Sequence, residues 1–202
     1  NKYIELLDIK DDEALNSGLK LKELSGNVEF KNVSYSYNNE KNIINNLSFK
    51  INKNSSVALV GESGSGKSTI IKLIMGLIKY DKGNILIDDK ELSKLNLNSF
   101  YDNVTYVSQE APIFDGTLIF DKKIPDEEII KVLNLVCLDK FYEKLENGLD
   151  TELGEKGVRM SGGERQRVAL ARLFFDDSKI IILDEATSAM DNITETCYGK
   201  CC

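Results

Sequence analysis

Apolar and polar positions change rhythm several times along the chain, and each change predicts an element. Residues 27–37, "NVEFKNVSYSY", alternate with period two, as a half-buried strand does. "IINNLSFKI" from Ile43 alternates in the same way, and Lys53 to Ser55 follow as a polar turn. "SSVALVG", residues 55–61, is almost wholly apolar and predicts a buried parallel strand. From Lys67 onward, "STIIKLIMGLI" is apolar around most of a helical circumference and predicts a buried helix. "GNILIDDK" and "NVTYVSQ" predict two further strands. Residues 126–146 carry two helical patterns, with Pro125 and Asp126 as start signals. Residues 161–176 predict a helix, and "SKIIILDEA" a second buried strand.

Strands alternating with helices predict an α/β core, joined by early antiparallel strands and a helical insert. The charged opening stretch, residues 1–26, reads as a linker entering a domain that occupies 27–202. At 202 residues, 42% hydrophobic and 29% charged, the chain fits a soluble globular domain with one sizeable core. A net charge of −7 argues against a nucleic-acid partner, and no apolar run reaches membrane-spanning length. The absence of histidine excludes Ser-His and Cys-His catalysis and His-ligated metals. Cys137 falls in an apolar helical pattern, while Cys197, Cys201 and Cys202 crowd the end, which fits reduced thiols better than a disulfide framework.

"GESGSGKS", Gly61 to Ser68, fits the spacing G-x-x-x-x-G-K-[ST] between the apolar run and the buried helix. Glycines 61, 64 and 66 allow the tight turn that aims backbone N–H groups at phosphate oxygens. Glu62, Ser63, Ser65 and Thr69 complete the predicted contact set. Lys67 supplies a point charge between the β- and γ-phosphates, and the Ser68 hydroxyl can ligate Mg²⁺.

"IIILDEA", from Ile180, is an apolar strand ending in two acids, an arrangement that is costly unless a cation or hydrogen bonds compensate. Beside a phosphate-binding loop the cation is Mg²⁺, held by Asp184, while Glu185 can orient and deprotonate an attacking water. "SGGERQR" at Ser161 is a second glycine-rich turn opening a helix, so the chain holds two candidate anion sites.

Phosphate loop, Asp-Glu strand and "MSGGERQR", in that order, resemble an ABC-type ATPase, and the resemblance covers almost the whole chain. It implies a P-loop NTPase core with a parallel sheet, an antiparallel β subdomain and an α-helical signature subdomain at about 110–176. It further implies that ATP bound by one domain is capped by the Ser161, Gly162, Gly163 and Glu164 turn of a second, paired head to tail. Met160 stands where the family usually has Leu, and Glu164 where it usually has Gln. Tyr37 resembles the adenine-stacking residue, with Ile43 as its apolar neighbour. Gln109 resembles the residue that reaches Mg²⁺ and the water, and Ser188 to Asp191 resemble an interface loop. Residues 148–157 and "IELLDIKDDEA" resemble exporter members, which implies an ATP-hydrolysing motor at the cytoplasmic face of a membrane, joined to a transmembrane domain. Richness in lysine, asparagine and isoleucine points to a bacterial genome. A soluble ABC ATPase of DNA repair is the alternative, disfavoured by the lack of a heptad run. The family pattern continues to a switch histidine, so the ending "TCYGKCC" implies a missing C-terminal segment and slow hydrolysis.

Overall fold

The computed structural model describes residues 17–37, 42–108, 124–153 and 158–184. These fall into two compact units, one within Asn1–Val104 and Ser178–Ile180, the other within Thr105–Asp177 and Ile181–Cys202.

The first unit is built on an antiparallel sheet of order β2-β1-β3-β4. Its strands are β1 (Val28–Ser36), β2 (Asn42–Ile51), β3 (Lys82–Ile87) and β4 (Lys90–Glu91). Central β1 buries Val28 and Phe30, then Val33 and Tyr35, so its inward parity shifts by one residue. A bulge at Asn32, whose φ is 53°, produces that shift. Gly83 of β3 passes so close that a Cβ there would stand 2.4 Å from the carbonyl oxygens of Lys31 and Asn32. Only glycine fits opposite this bulge. Phe30 and Phe49 face each other across β1 and β2, with ring centroids 4.5 Å apart. The β3–β4 turn carries Asp88 and Asp89, both at positive φ, as a two-residue primed hairpin turn requires.

Helix α1 (Lys67–Ile74) buries Thr69, Ile71, Leu73 and Ile74 and leaves Lys72 exposed. Helix α2 (Leu97–Tyr101) starts at Asn96, whose side chain accepts from the Ser99 N–H. Residues 18–26, within the stretch read as a linker, are pinned to this unit together with Asn27. Leu19 exchanges main-chain hydrogen bonds with Lys94 and Asn96, Leu21 and Leu24 are buried, and Asp88 gathers the N–H groups of Ser25, Gly26 and Asn27.

The second unit packs α3 (Asp126–Leu135), α4 (Asp139–Tyr142) and α5 (Gly162–Leu173) around a core that includes Leu133, Leu138, Leu153, Val168 and Ala171. Pro125 caps α3 and three acids fill its first turn, favourable charges at a helix N-terminus. Cys137 follows α3 at φ 56°, so it terminates the helix rather than lying within it. Strands β5 (Val104–Val107) and β6 (Ile180–Leu183) pair, with Ile180 N–H donating to Asn103 and Asp184 N–H to Val107. The bonds ascend together, so the pair is parallel.

Two sequence expectations need correction. Residues 55–61 form no strand: Val57 is 54% and Val60 92% exposed. An apolar run becomes a buried strand only where neighbouring strands satisfy its backbone, and no described strand pairs with it. Strand β6 forms, but Ile181 and Leu183 are about half exposed, so it is not buried on both faces. No described helix is long and apolar enough to cross a membrane.

Candidate nucleotide site

The Gly61–Thr69 segment leads from irregular chain into α1. Gly64 and Gly66 sit at φ 81° and 95°, conformations that side-chain-bearing residues rarely adopt. At Gly66, the N-cap of α1, a Cβ would also come within 3.0 Å of Ile44 and 3.3 Å of Ile43. The structure therefore brings Ile43 to the phosphate loop. Ser63 and Ser65 are exposed, and the Ser65 N–H donates to the Glu62 carbonyl at 3.2 Å.

Ile70 N–H closes the first helical bond on the Gly66 carbonyl. The N–H groups of Lys67, Ser68 and Thr69 precede that bond and have no carbonyl of α1 to meet. Glycine at the N-cap supplies no side-chain acceptor, and no acid lies in the first turn. Lys67 Nζ donates to the carbonyls of Gly61 and Glu62, both at 2.8 Å. The ammonium thus lies against the loop it follows. Positive dipole, open N–H groups and ammonium converge on one turn, which suits a polyphosphate. The Ser68 side chain is exposed, whereas that of Thr69 is buried, so Thr69 offers the loop its backbone N–H.

Tyr37 directly follows β1 and is 42% exposed; the ring of buried Tyr35 meets it edge-on at 4.9 Å and 85°. Burial first, then the neighbouring Tyr37 and Asp81, raise the Tyr35 hydroxyl above the usual tyrosine range. The Tyr35 phenol is therefore neutral near pH 7.

In the second unit, Ser161 is the N-cap of α5 and forms a reciprocal capping box with Glu164. The Ser161 N–H and Oγ donate to Glu164 Oε2 at 2.8 and 2.7 Å, and the Glu164 N–H donates to Ser161 Oγ at 3.3 Å. Burial pushes the Glu164 carboxyl up, but the Ser161 donors and the charges of Arg167 and Lys144 outweigh it and hold the group below the ordinary glutamate range. Gly162 and Gly163 occupy the first two positions of α5, and open space surrounds Gly162. Asp184, immediately after β6, accepts from the Tyr106 hydroxyl at 3.0 Å. Burial, then Asp184, raises the Tyr106 pKa, so that hydroxyl remains a donor.

Tyr37, Ile43 and Gly61–Thr69 thus belong to one unit, Ser161–Glu164 and Asp184 to the other. Gln109, Glu185, Ser188 to Asp191 and the three terminal cysteines lie outside the described residues. Sequence reasoning missed Tyr35, Asp81 and Tyr106. Their partners are strand neighbours and distant turns, and only the alternation of "NVSYSY", which spaces Tyr35 and Tyr37 two apart, hinted at any of them.

The family model for ABC transporter proteins matches residues 44–188. The putative export ATP-binding/permease protein of Rickettsia typhi is 45% identical over 175 residues, 83% of this chain and 30% of that protein. The ATP-dependent lipid A-core flippase of Legionella pneumophila (strain Paris) is 42% identical, covering 89% of this chain and 32% of its own. The mitochondrial iron-sulfur clusters transporter ATM1 of Candida albicans is 43% identical over 88% of this chain and 24% of its own. The chain therefore spans about a quarter to a third of the length of these relatives. Among solved structures, a bacterial Atm1-family ABC exporter with ATP bound superposes with a TM-score of 0.75 at 30% identity, over 98% of this chain and 36% of that one. An ATP-type phosphate loop opening α1 and a family match over most of the length lead to one conclusion: this chain belongs to the ABC transporter family, as an ATP-binding ATPase domain with that family's fold.

Proposed function

We propose that the chain is the motor domain of an exporter, binding Mg-ATP, pairing head to tail with a second such domain, and reopening after hydrolysis. The observation that carries the reading is the open, lysine-bearing start of α1, a polyphosphate cradle complete within one unit. In this reading the N–H groups at 67–69 and the Lys67 ammonium bind the β- and γ-phosphates, and Tyr37 with Ile43 takes the base. Ser68 and Asp184 offer hard oxygen donors of the kind Mg²⁺ prefers, with Gln109 as a third. The metal, when bound, neutralises phosphate charge. Glu185 orients the attacking water and accepts its proton. Ser161 and Gly163 contact the γ-phosphate held by the other domain. The Rickettsia, Candida and Legionella relatives are named as an export permease, a transporter and a flippase, which favours export at the cytoplasmic face of a membrane, alongside a transmembrane domain, over chromosome maintenance.

The test uses Glu185→Gln, which should bind ATP, fail to release phosphate, and accumulate as a dimer in light scattering. Adding Ser161→Arg should return it to monomer while ATP affinity stays within about twofold, since the residue acts on the partner's nucleotide. A dimer undisturbed by Ser161→Arg would refute the head-to-tail reading.

A further inference from the structure

In the proposed complex Tyr37 is the platform for the base, and any role of its neighbours in binding rests on that reading. A side chain exposed at a strand end ordinarily samples several rotamers, and binding then loses affinity to the cost of fixing one. Tyr37 is restrained on two sides. Its chain neighbour Ser36 donates both N–H and hydroxyl to Asp81 Oδ2, at 2.8 and 2.9 Å, and the Asp81 N–H returns a bond to the Ser34 carbonyl. That clamp fixes the backbone where β1 ends. The ring is met by Tyr35, perpendicular at 85° with centroids 4.9 Å apart, the separation and angle of a favourable edge-to-face pair.

Tyr35 is itself packed into the unit. It is 8% exposed and registers against Ile44 of β2, whose side chain lies against the Gly66 cap of the phosphate loop. A run of contacts thus connects the phosphate loop to the ring of Tyr37 within one unit. Tyr37 lies one residue past the end of β1, and its perpendicular contact with Tyr35 leaves 42% of it open.

We infer that Tyr35 is a positioning residue for nucleotide binding, holding the Tyr37 ring edge-on in the orientation that stacks on a purine base. It touches no phosphate, so its effect is confined to ligands that carry a base.

The test titrates four variants, Tyr37→Ala, Tyr35→Leu, Tyr35→Phe and Tyr35→Leu with Tyr37→Ala, with Mg-ATP and with inorganic tripolyphosphate. Tyr37→Ala should weaken ATP and leave tripolyphosphate unchanged. Tyr35→Leu keeps an apolar side chain but removes the ring edge, and should weaken ATP about two- to tenfold, again without affecting tripolyphosphate. Tyr35→Phe keeps the ring edge and should bind ATP like the parent. In the Tyr37→Ala background, Tyr35→Leu should cost nothing more, because the ring it positions is gone. If Tyr37→Ala leaves ATP affinity unchanged, the base-platform reading fails and takes this inference with it. If Tyr37→Ala weakens ATP but Tyr35→Leu does not, only the positioning role is overturned. Equal losses for ATP and tripolyphosphate in Tyr35→Leu would mark a purely structural residue and also overturn it.

Discussion

The chain starts two helices from glycine-rich turns, and the two are finished in opposite ways. At Gly66, α1 begins with a left-handed glycine, no side-chain cap and a lysine as its first residue. At Ser161, α5 begins with a hydroxyl and a carboxylate that satisfy each other's backbone donors. The first start keeps its donors open and its charge positive. The second satisfies two donors internally and places a negative group among them, leaving the N–H groups of Gly162 and Gly163 as its offer. The two turns look alike as strings of small residues, yet of these two only the first has the open donors and positive charge that suit an anion. The second is a helix start closed by its own capping box, which fits the proposed role of completing a site on a partner domain.

The largest expected break in this comparison is Lys67→Ala. It removes an ammonium that rests on the Gly61 and Glu62 carbonyls and, in the proposed complex, pairs with phosphate. A hydrogen bond to a charged group contributes about 1.5–3 kcal/mol, so ATP should weaken roughly ten- to a hundredfold in an isothermal titration. Unchanged affinity would remove the phosphate loop from the site.

A pair of alanine substitutions sharpens the contrast through the backbone. Gly66→Ala places a Cβ at φ 95°, which costs about 1–2 kcal/mol of stability for an L-residue. The nearest atom it would meet, at 3.0 Å, is the flexible end of Ile44, so the backbone term dominates. Gly162→Ala meets nothing within 4 Å at no positive φ, and should raise stability by about 0.4–1 kcal/mol through the unfolded chain. Melting temperatures moving in the same direction would mean the two turns are not built differently.

How much of this was legible in the sequence depends on the range of the interactions involved. Strands β1, β2 and β3 and helices α1, α3 and α5 were readable because period, glycine and capping residues are local signals. The Ser161–Glu164 box spans three residues, and its chemistry is written in "SGGE". Residues 55–61 were misread because burial of a strand depends on ladder partners far along the chain. The docking of 18–27 was equally hidden: Gly18 at φ 95° would set a Cβ 2.6 Å from the Lys94 carbonyl, and Asp88 reaches back more than sixty residues to three N–H groups. Tyr35 likewise carried no signal of its own, since its perpendicular contact with Tyr37 depends on rotamers that alternation does not encode.

The smallest expected effect concerns the charge at the closed helix start. The Glu164 carboxyl is held below the ordinary glutamate range, so it binds its proton less readily folded than unfolded. The stabilisation this gives is fully present above the unfolded value and is lost as pH falls through the lower folded one. Glu164→Gln can still accept from the Ser161 donors but carries no charge for the helix dipole, Arg167 or Lys144 to favour. The parent should therefore be the more stable at pH 7, by no more than about 1 kcal/mol for a partly exposed charge at a helix end. The difference should shrink toward zero as urea melts are repeated from pH 5 down to pH 3. A difference that stays constant with pH would mean that Glu164 acts through its shape alone. The closed start would then differ from the open one in hydrogen bonding and not in charge.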